Sequence, residues 1–515
     1  MDTTRSRPAA VIGAGLLLGL LGDALLRAPG EPALNLFLWA TAVAAAVVVL
    51  RRLTGGTLST EARVLLGIGV LFAATLAWRD SPALKLVALA ATAWAFALPA
   101  RRVGAAWVRR SGVLGYGVTV AATSLRVGLG VLPVFGDVDW NALREGADGA
   151  SRWRRAASVA RGLALALPLL LVFGGLFVAA DPVFERIIAD TARLDLERLA
   201  SHVALAGFFG WVAVGYLHGF LTGNRLPVLQ SAVPRRPAVG ITEVGVALGL
   251  LSLLFAAFVA VQFRYLFGGA ALVEVTPGLS YAEYARRGFF ELVAVSALML
   301  PVLLAAEAAL RRERPIDERI FRALAATLIL LLLAVMTSAF QRMRLYLDAY
   351  GLTEARLYAT SMLIWLAVVV VWLAATVLRG RRRAFAFGTL VSAFVAAAAL
   401  VAVNPDAIIA RTNMARAVSG PTAGAREGGG ADGDGSTPLD AAYLPSLSGD
   451  AVPTLLAGLD ALPPDARCRI AERLLERWTS DEPPDWRNWN LSAARARAAV
   501  RAEAAALRAA ARACE

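Results

Sequence analysis

Runs of about twenty apolar residues recur along this chain, and no other feature narrows its fold as much. A helix needs roughly 20 such residues to cross the hydrocarbon core of a bilayer. Eleven stretches approach or meet that length: 9–27, 33–50, 62–78, 82–99, 156–180, 199–221, 240–263, 288–309, 320–341, 356–378 and 384–403. In lipid each backbone amide must be satisfied internally, which leaves helices and closed barrels as the spanning forms. These runs are continuous and too long for barrel strands, which alternate over about ten residues. The sequence therefore predicts an all-α, polytopic transmembrane helical bundle of about 11 spans. Arg5 and Arg7 precede the first run as in a signal peptide. That run is too long for a signal h-region and has no clear cleavage site, so it reads as a retained span.

Arginines supply the orientation. With the N-terminus in the cytoplasm, the inside loops hold 27 arginines, from Arg5 and Arg7 through Arg101, Arg102, Arg154 and Arg155 to Arg381–Arg383, against about 12 outside. Positive charge favours the cytoplasmic side and meets anionic lipid heads there. The expectation is a plasma (inner) membrane protein, N-terminus cytoplasmic and C-terminus extracytoplasmic. Residues 1–100 then form spans 1–4 and 101–155 a basic cytoplasmic segment. Within that segment 113–134 is glycine-rich, interrupted by Arg126 and Pro133, and reads as an interfacial helix. Residues 156–403 form spans 5–11, and 404–438 an exit segment with the flexible linker GAREGGGADGDG. Residues 439–515 form a small C-terminal helical extramembrane tail, too poor in large apolar residues to fold without leaning on the bundle. Trp478, Trp486 and Trp489 there suit either a small core or the lipid interface.

The net charge of +13 does not signal nucleic acid, because from Asn404 onward 13 arginines face 15 acidic residues. The excess sits in the membrane loops. Only two cysteines occur, Cys468 and Cys514, and two histidines, His202 and His218, with no metal-ligand spacing. The cysteines read as unpaired by default, with one disulfide open if the tail lies outside. No phosphate loop, GxSxG or HExxH motif is present, so no cofactor, no metal and no catalytic residue is assigned.

Chemistry concentrates in four polar stretches that this topology puts on one face. They are AADPVFERIIAD (Ala179–Asp190), YAEYARRGFFEL (Tyr281–Leu292), YLDAYGLTEARLY (Tyr346–Tyr358) and NPDAIIARTNMAR (Asn404–Arg416). In the third, Gly351 closes one helix and Thr353 caps the next, giving a helical hairpin at the membrane surface. Asp181, Arg286, Arg287, Glu291, Arg344, Asp348, Arg356 and Arg411 are the candidate ligand-binding residues. Arginine forks suit phosphate and carboxylate. The plainer reading is an aromatic belt with helix caps and ion pairs, Glu291 with Arg287 among them. Glu307 reads as snorkelling towards Arg311, and Asp23 and Lys85 as snorkelling at span ends. Gly15 with Gly19, and Gly215 with Gly219, form small-residue contact pairs.

Those stretches, in that order and with LDAAYLPSLSGDAVPTL (Leu439–Leu455), resemble a bacterial integral-membrane family, domain of unknown function 4173. The resemblance runs from about Ala150 through the tail and implies a membrane bundle, with no activity attached. Three functional readings follow from the residues. The first is transport or lipid handling at an outer-face site for an anionic headgroup or solute. The second is a scaffold whose tail binds an envelope protein partner. The third is an enzyme acting on the outer face.

Overall fold

The computed structural model describes residues 7–27, 29–100, 107–129, 196–222, 239–274, 289–419, 440–480 and 485–514. Among them ten helices are long and apolar enough to cross a membrane. They coincide with ten of the eleven expected spans; the other, 156–180, lies outside the described residues. The chain is a multi-pass, all-α membrane protein. The helices are α1 (Arg7–Leu26), α2 (Leu34–Leu53), α3 (Thr60–Trp78), α4 (Pro82–Ala97), α5 (Val113–Leu129), α6 (Leu196–Thr222), α7 (Ile241–Glu274), α8 (Phe289–Ala309), α9 (Pro315–Tyr350), α10 (Glu354–Thr376) and α11 (Arg382–Val403). The spans expose leucines such as Leu17 (70%) and Leu330 (68%), surface that water would penalise and lipid does not.

Helices α7–α10 enclose one apolar core, with Leu328, Leu332 and Leu373 sealed at its centre. Helices α1–α3 and α6 enclose a second around Val47 and Leu217. Helix α11 joins the two halves. Its Phe394 ring meets Phe72 of α3, and its Ser392 accepts from the Trp365 indole of α10 at 3.2 Å.

Glycine decides the closest approach. A Cβ added at Gly19 would lie 2.4 Å from the Ala206 carbonyl oxygen and 2.9 Å from the Gly210 Cα. These distances are below any van der Waals contact, so α1 and α6 touch backbone to backbone. Gly215 plays the same part, with its added Cβ 2.4 Å from the Val127 oxygen of α5. Gly19→Val is expected to push α1 off α6 and cost about 1–3 kcal/mol, as overpacking does. The check is a thermal melt in detergent beside Gly13→Val, whose site has no neighbour within 4 Å. Equal melting of the two variants would refute the contact.

Helix α5 covers most of the stretch expected at the interface. It buries Tyr116, Thr119, Ala122 and Thr123, and Thr123 donates to the Ala97 oxygen at 3.2 Å. It packs against the ends of α4 and α6.

After α11 the chain turns at Asn404, whose φ of 56° is left-handed. The exit segment begins with a helix, α12 (Pro405–Ser419). Residues 420–439, which hold most of the expected linker, lie outside the described residues. The tail continues with α13 (Val452–Gly458), α14 (Pro464–Trp478), α15 (Leu491–Ala502) and α16 (Ala504–Ala511). Its core combines Ile409 and Ala410 of α12 with Leu455, Ile470, Leu474, Trp478 and Val500. Of the three tail tryptophans, Trp478 joins this core, while Trp486 and Trp489 are exposed. Cys468 and Cys514 form a disulfide with their Cα atoms 5.7 Å apart. This corrects the unpaired default; the fold returns the chain end to α14, a proximity that spacing alone does not reveal.

The tail sits on one end of the bundle, against the connections 27–33, 79–81 and 351–353 and the exit at Asn404. Arg51, Arg52, Arg63, Arg311, Arg312, Arg314, Arg379 and Arg381 occupy the opposite end, in or beside 54–59, 310–314 and 377–381.

Candidate functional site

Helix α9 has 36 residues, about 54 Å at 1.5 Å per residue, and outruns the roughly 30 Å hydrocarbon core. Its apolar run ends at Phe340, followed by Gln341, Arg342, Met343 and Arg344. At this changeover a groove of about 380 Å³ opens, lined by Thr337, Phe340, Gln341, Arg344, Leu345 and Asp348. The spacing of these six positions puts them on one stripe of α9, rows three and four apart. Arg344 and Asp348 are both exposed. One face thus offers a guanidinium, a carboxylate, an amide and a hydroxyl between two large apolar groups.

On the next face of the same turn the polar groups are tied down. Gln262 of α7 is 6% exposed, and its side-chain oxygen accepts from Arg342 Nη2 at 2.8 Å and from Ser338 Oγ at 3.2 Å. This fixes α9 against α7 and aims Arg344 away from the core.

The five candidate residues that are described do not share one pocket. Arg344 and Asp348 line the groove. Arg356 is spent on the hairpin, donating to the Tyr350 and Gly351 carbonyls with its guanidinium 4.2 Å over the Tyr346 ring. Arg411 is exposed on α12, and Glu291 is exposed in the first turn of α8. Asp181, Arg286 and Arg287 lie outside the described residues, and with them the Glu291–Arg287 pair. The hairpin forms where expected: Gly351 takes φ 73° and closes α9. Thr353 occupies the cap position of α10, but its hydroxyl makes no capping bond. The loop is held instead by Asn413 of α12, which accepts from the Leu352 amide at 2.8 Å and donates to the Leu352 oxygen at 2.7 Å.

The residues that the sequence reading missed lie in the seam between tail and bundle. Asp450 is the hub. Its carboxylate accepts from Arg79 Nη1 (3.1 Å), the amides of Asp80 (2.6 Å) and Ser81 (3.1 Å), and Ser492 Oγ (2.6 Å). Arg79 spends its other nitrogens on the Val401 and Ala402 carbonyls. Asn490 bridges the oxygens of Leu76 and Arg79. Beside the hub, Asp406 of α12 is fully buried and accepts from the Ser448 amide and hydroxyl. Burial pushes its carboxyl above the ordinary range; the Ser448 bonds oppose this, and the charges of Asp450 and Asp80 add to it. The motifs around Asp406 and Asp450 were visible in sequence, but their meeting was not.

Charges expected to snorkel are paired instead. Lys85 is buried and bonds Glu31 at 2.7 Å and Asp80 at 3.3 Å. Asp23 bonds Arg27 and His202. Glu307 pairs with Arg312 at 2.8 Å rather than extending to Arg311. Pairing wins because each site lies where two helices close on it, and a buried charge without a partner costs several kcal/mol.

No group of three or more metal-ligating side chains occurs among the described residues. No curated protein and no solved structure matches the chain. One family model does, over residues 66–458, and its number is 4153 rather than the 4173 of the sequence resemblance. The chain belongs to the family of the domain of unknown function DUF4153.

Proposed function

We propose that the groove on α9 binds the headgroup of an anionic phospholipid, and that the protein handles lipid at the membrane face bearing the tail. The observation that carries this reading is the position of Arg344. It projects from the turn where apolar residues give way to polar ones, in a cavity with both apolar walls and hydrogen-bonding groups. Phe340 and Leu345 suit the upper acyl chain. A phosphate at the arginine would gain charge-assisted hydrogen bonds, and the Gln341 amide offers further donors, whereas the Thr337 hydroxyl donates to the Leu333 oxygen at 2.8 Å. Among the described residues Arg344 has no ion pair, so it keeps its charge for a ligand.

The reading includes an orientation. The tail face is taken as extracytoplasmic and the membrane as the plasma (inner) membrane. The arginines collected at the opposite end support this, since they match cytoplasmic loops and anionic lipids there. A disulfide in the tail supports it as well, because such bonds persist in oxidising compartments.

The test is native mass spectrometry of protein released from nanodiscs containing phosphatidylglycerol. The wild type is expected to retain bound lipid, and Arg344→Glu to retain about 10- to 150-fold less, the loss of one charge-assisted bond of roughly 1.5–3 kcal/mol. Arg411→Glu, outside the groove, should match the wild type. Equal retention by all three would sink the lipid reading and leave the tail as a scaffold for an envelope protein partner.

A further inference from the structure

Charge does not balance in the seam between tail and bundle. Asp406 lies close to Asp80 just before α4, to Glu354 and Tyr358 of α10, and to Tyr443 and Asp450 of the tail, and the cations beside these groups are Arg79, Lys85 and Arg356. The cations are committed elsewhere. Arg79 bonds Asp450 and two carbonyls, Lys85 bonds Glu31 and Asp80, and Arg356 bonds the carbonyls of the hairpin. Among the described residues Asp406 and Glu354 are left with none, and their carboxyl groups lie against each other.

The hydrogen bonds show the same shortfall. Asp406 is 0% exposed, its Oδ2 takes both Ser448 bonds, and its Oδ1 has no donor. Ser81 is 0% exposed, and its hydroxyl and that of Tyr358 lie against each other rather than on Asp406 Oδ1. A buried carboxylate oxygen facing a second carboxylate is two acceptors without a hydrogen. One proton between them supplies the missing donor and removes one of the two negative charges. Two carboxyls in one site cannot both ionise freely.

We propose that Asp406 and Glu354 share one proton, and that this proton latches the tail onto the end of the bundle. In the undocked state both carboxyls meet water and ionise in the ordinary range, so docking takes up the proton. The burial that lifts the Asp406 carboxyl above its usual value gives the sign. The latch is complete at low pH and weakens as pH rises above the ordinary carboxylate range. This site is separate from the α9 groove and does not depend on what the groove binds.

The test is hydrogen–deuterium exchange of residues 441–458 in the full-length protein in nanodiscs, from pH 5.5 to 8.5, corrected for intrinsic exchange. One linked proton predicts that protection falls up to about tenfold per pH unit in the wild type. Asp406→Asn and Glu354→Gln, which keep shape and remove the charge pair, are both expected to flatten that slope. Flat protection in the wild type overturns the proposal without any variant, so a variant that fails to fold does not leave it open. A slope unchanged in Glu354→Gln overturns the sharing. Protection restored at pH 8.5 by sodium but not by choline chloride at equal ionic strength overturns the proton in favour of a metal cation.

Discussion

Replacing Asp450 with alanine is expected to loosen the tail from the bundle at a cost of about 3–5 kcal/mol, the range for breaking a buried ion pair from one side. The side chains of Asp450 and Arg79 are 1% and 9% exposed. The substitution leaves Arg79 Nη1, two backbone amides and the Ser492 hydroxyl without their acceptor in a region closed to water. Each such group loses its desolvation compensation, not only the bond. Asp450→Asn keeps one acceptor oxygen and is expected to cost less. Hydrogen exchange across 485–514, together with the melting temperature, reads the effect. A change below about 1 kcal/mol in Asp450→Ala would show that the seam is not what holds the tail.

Breaking the Cys468–Cys514 disulfide is the second large effect. The bridge closes 46 residues of sequence separation, for which chain-entropy arguments give about 4 kcal/mol. Cys468 is 3% exposed, beside the Ile470 and Leu474 core, and the bond ties the chain end to α14. Cys468→Ser with Cys514→Ser is expected to lower the tail's unfolding free energy by about 2–5 kcal/mol. A reductant should do the same to the wild type and nothing to the double variant. Identical denaturation of the wild type with and without reductant would refute the contribution.

The two substitutions probe different levels. The disulfide and the core on Ile470 stabilise the tail internally, whereas Asp450 attaches it. The tail is expected to keep its core when Asp450 is lost and to keep its attachment points when the disulfide is cut. Unfolding that starts in α14–α16 after reduction, but at 440–458 in Asp450→Ala, would separate the two roles.

How much of this was legible in sequence differs by element. The spans were, because twenty apolar residues in a row have few solutions in water or lipid. Helix α14 was, end to end, because its buried residues repeat at helical spacing. The hairpin was, because Gly351 is free to take a left-handed turn. Gly19 was legible as a small residue in a contact motif, though its partner α6 was not. In the motif holding Asp406 the candidate residue, Arg411, faces solvent, while Arg416 bonds the end of α9 and the aspartate is buried. Residue type gives the probability of exposure and not the fact.

By itself, then, the sequence determined the class, the number and limits of most spans, and the arginine asymmetry between the two sides. These follow from local hydropathy and charge, which each segment carries alone. The tertiary structure decided which charges are spent and which remain available. Arg356 and Arg344 sit on neighbouring helices of one hairpin, yet one is closed on carbonyls and an aromatic ring while the other opens into a groove. Asp80, Asp406 and Asp450 lie far apart in the chain and meet only because the tail folds back on the bundle. Pairing depends on distance in space and on the exclusion of water, and neither is a property of a residue's neighbours in sequence.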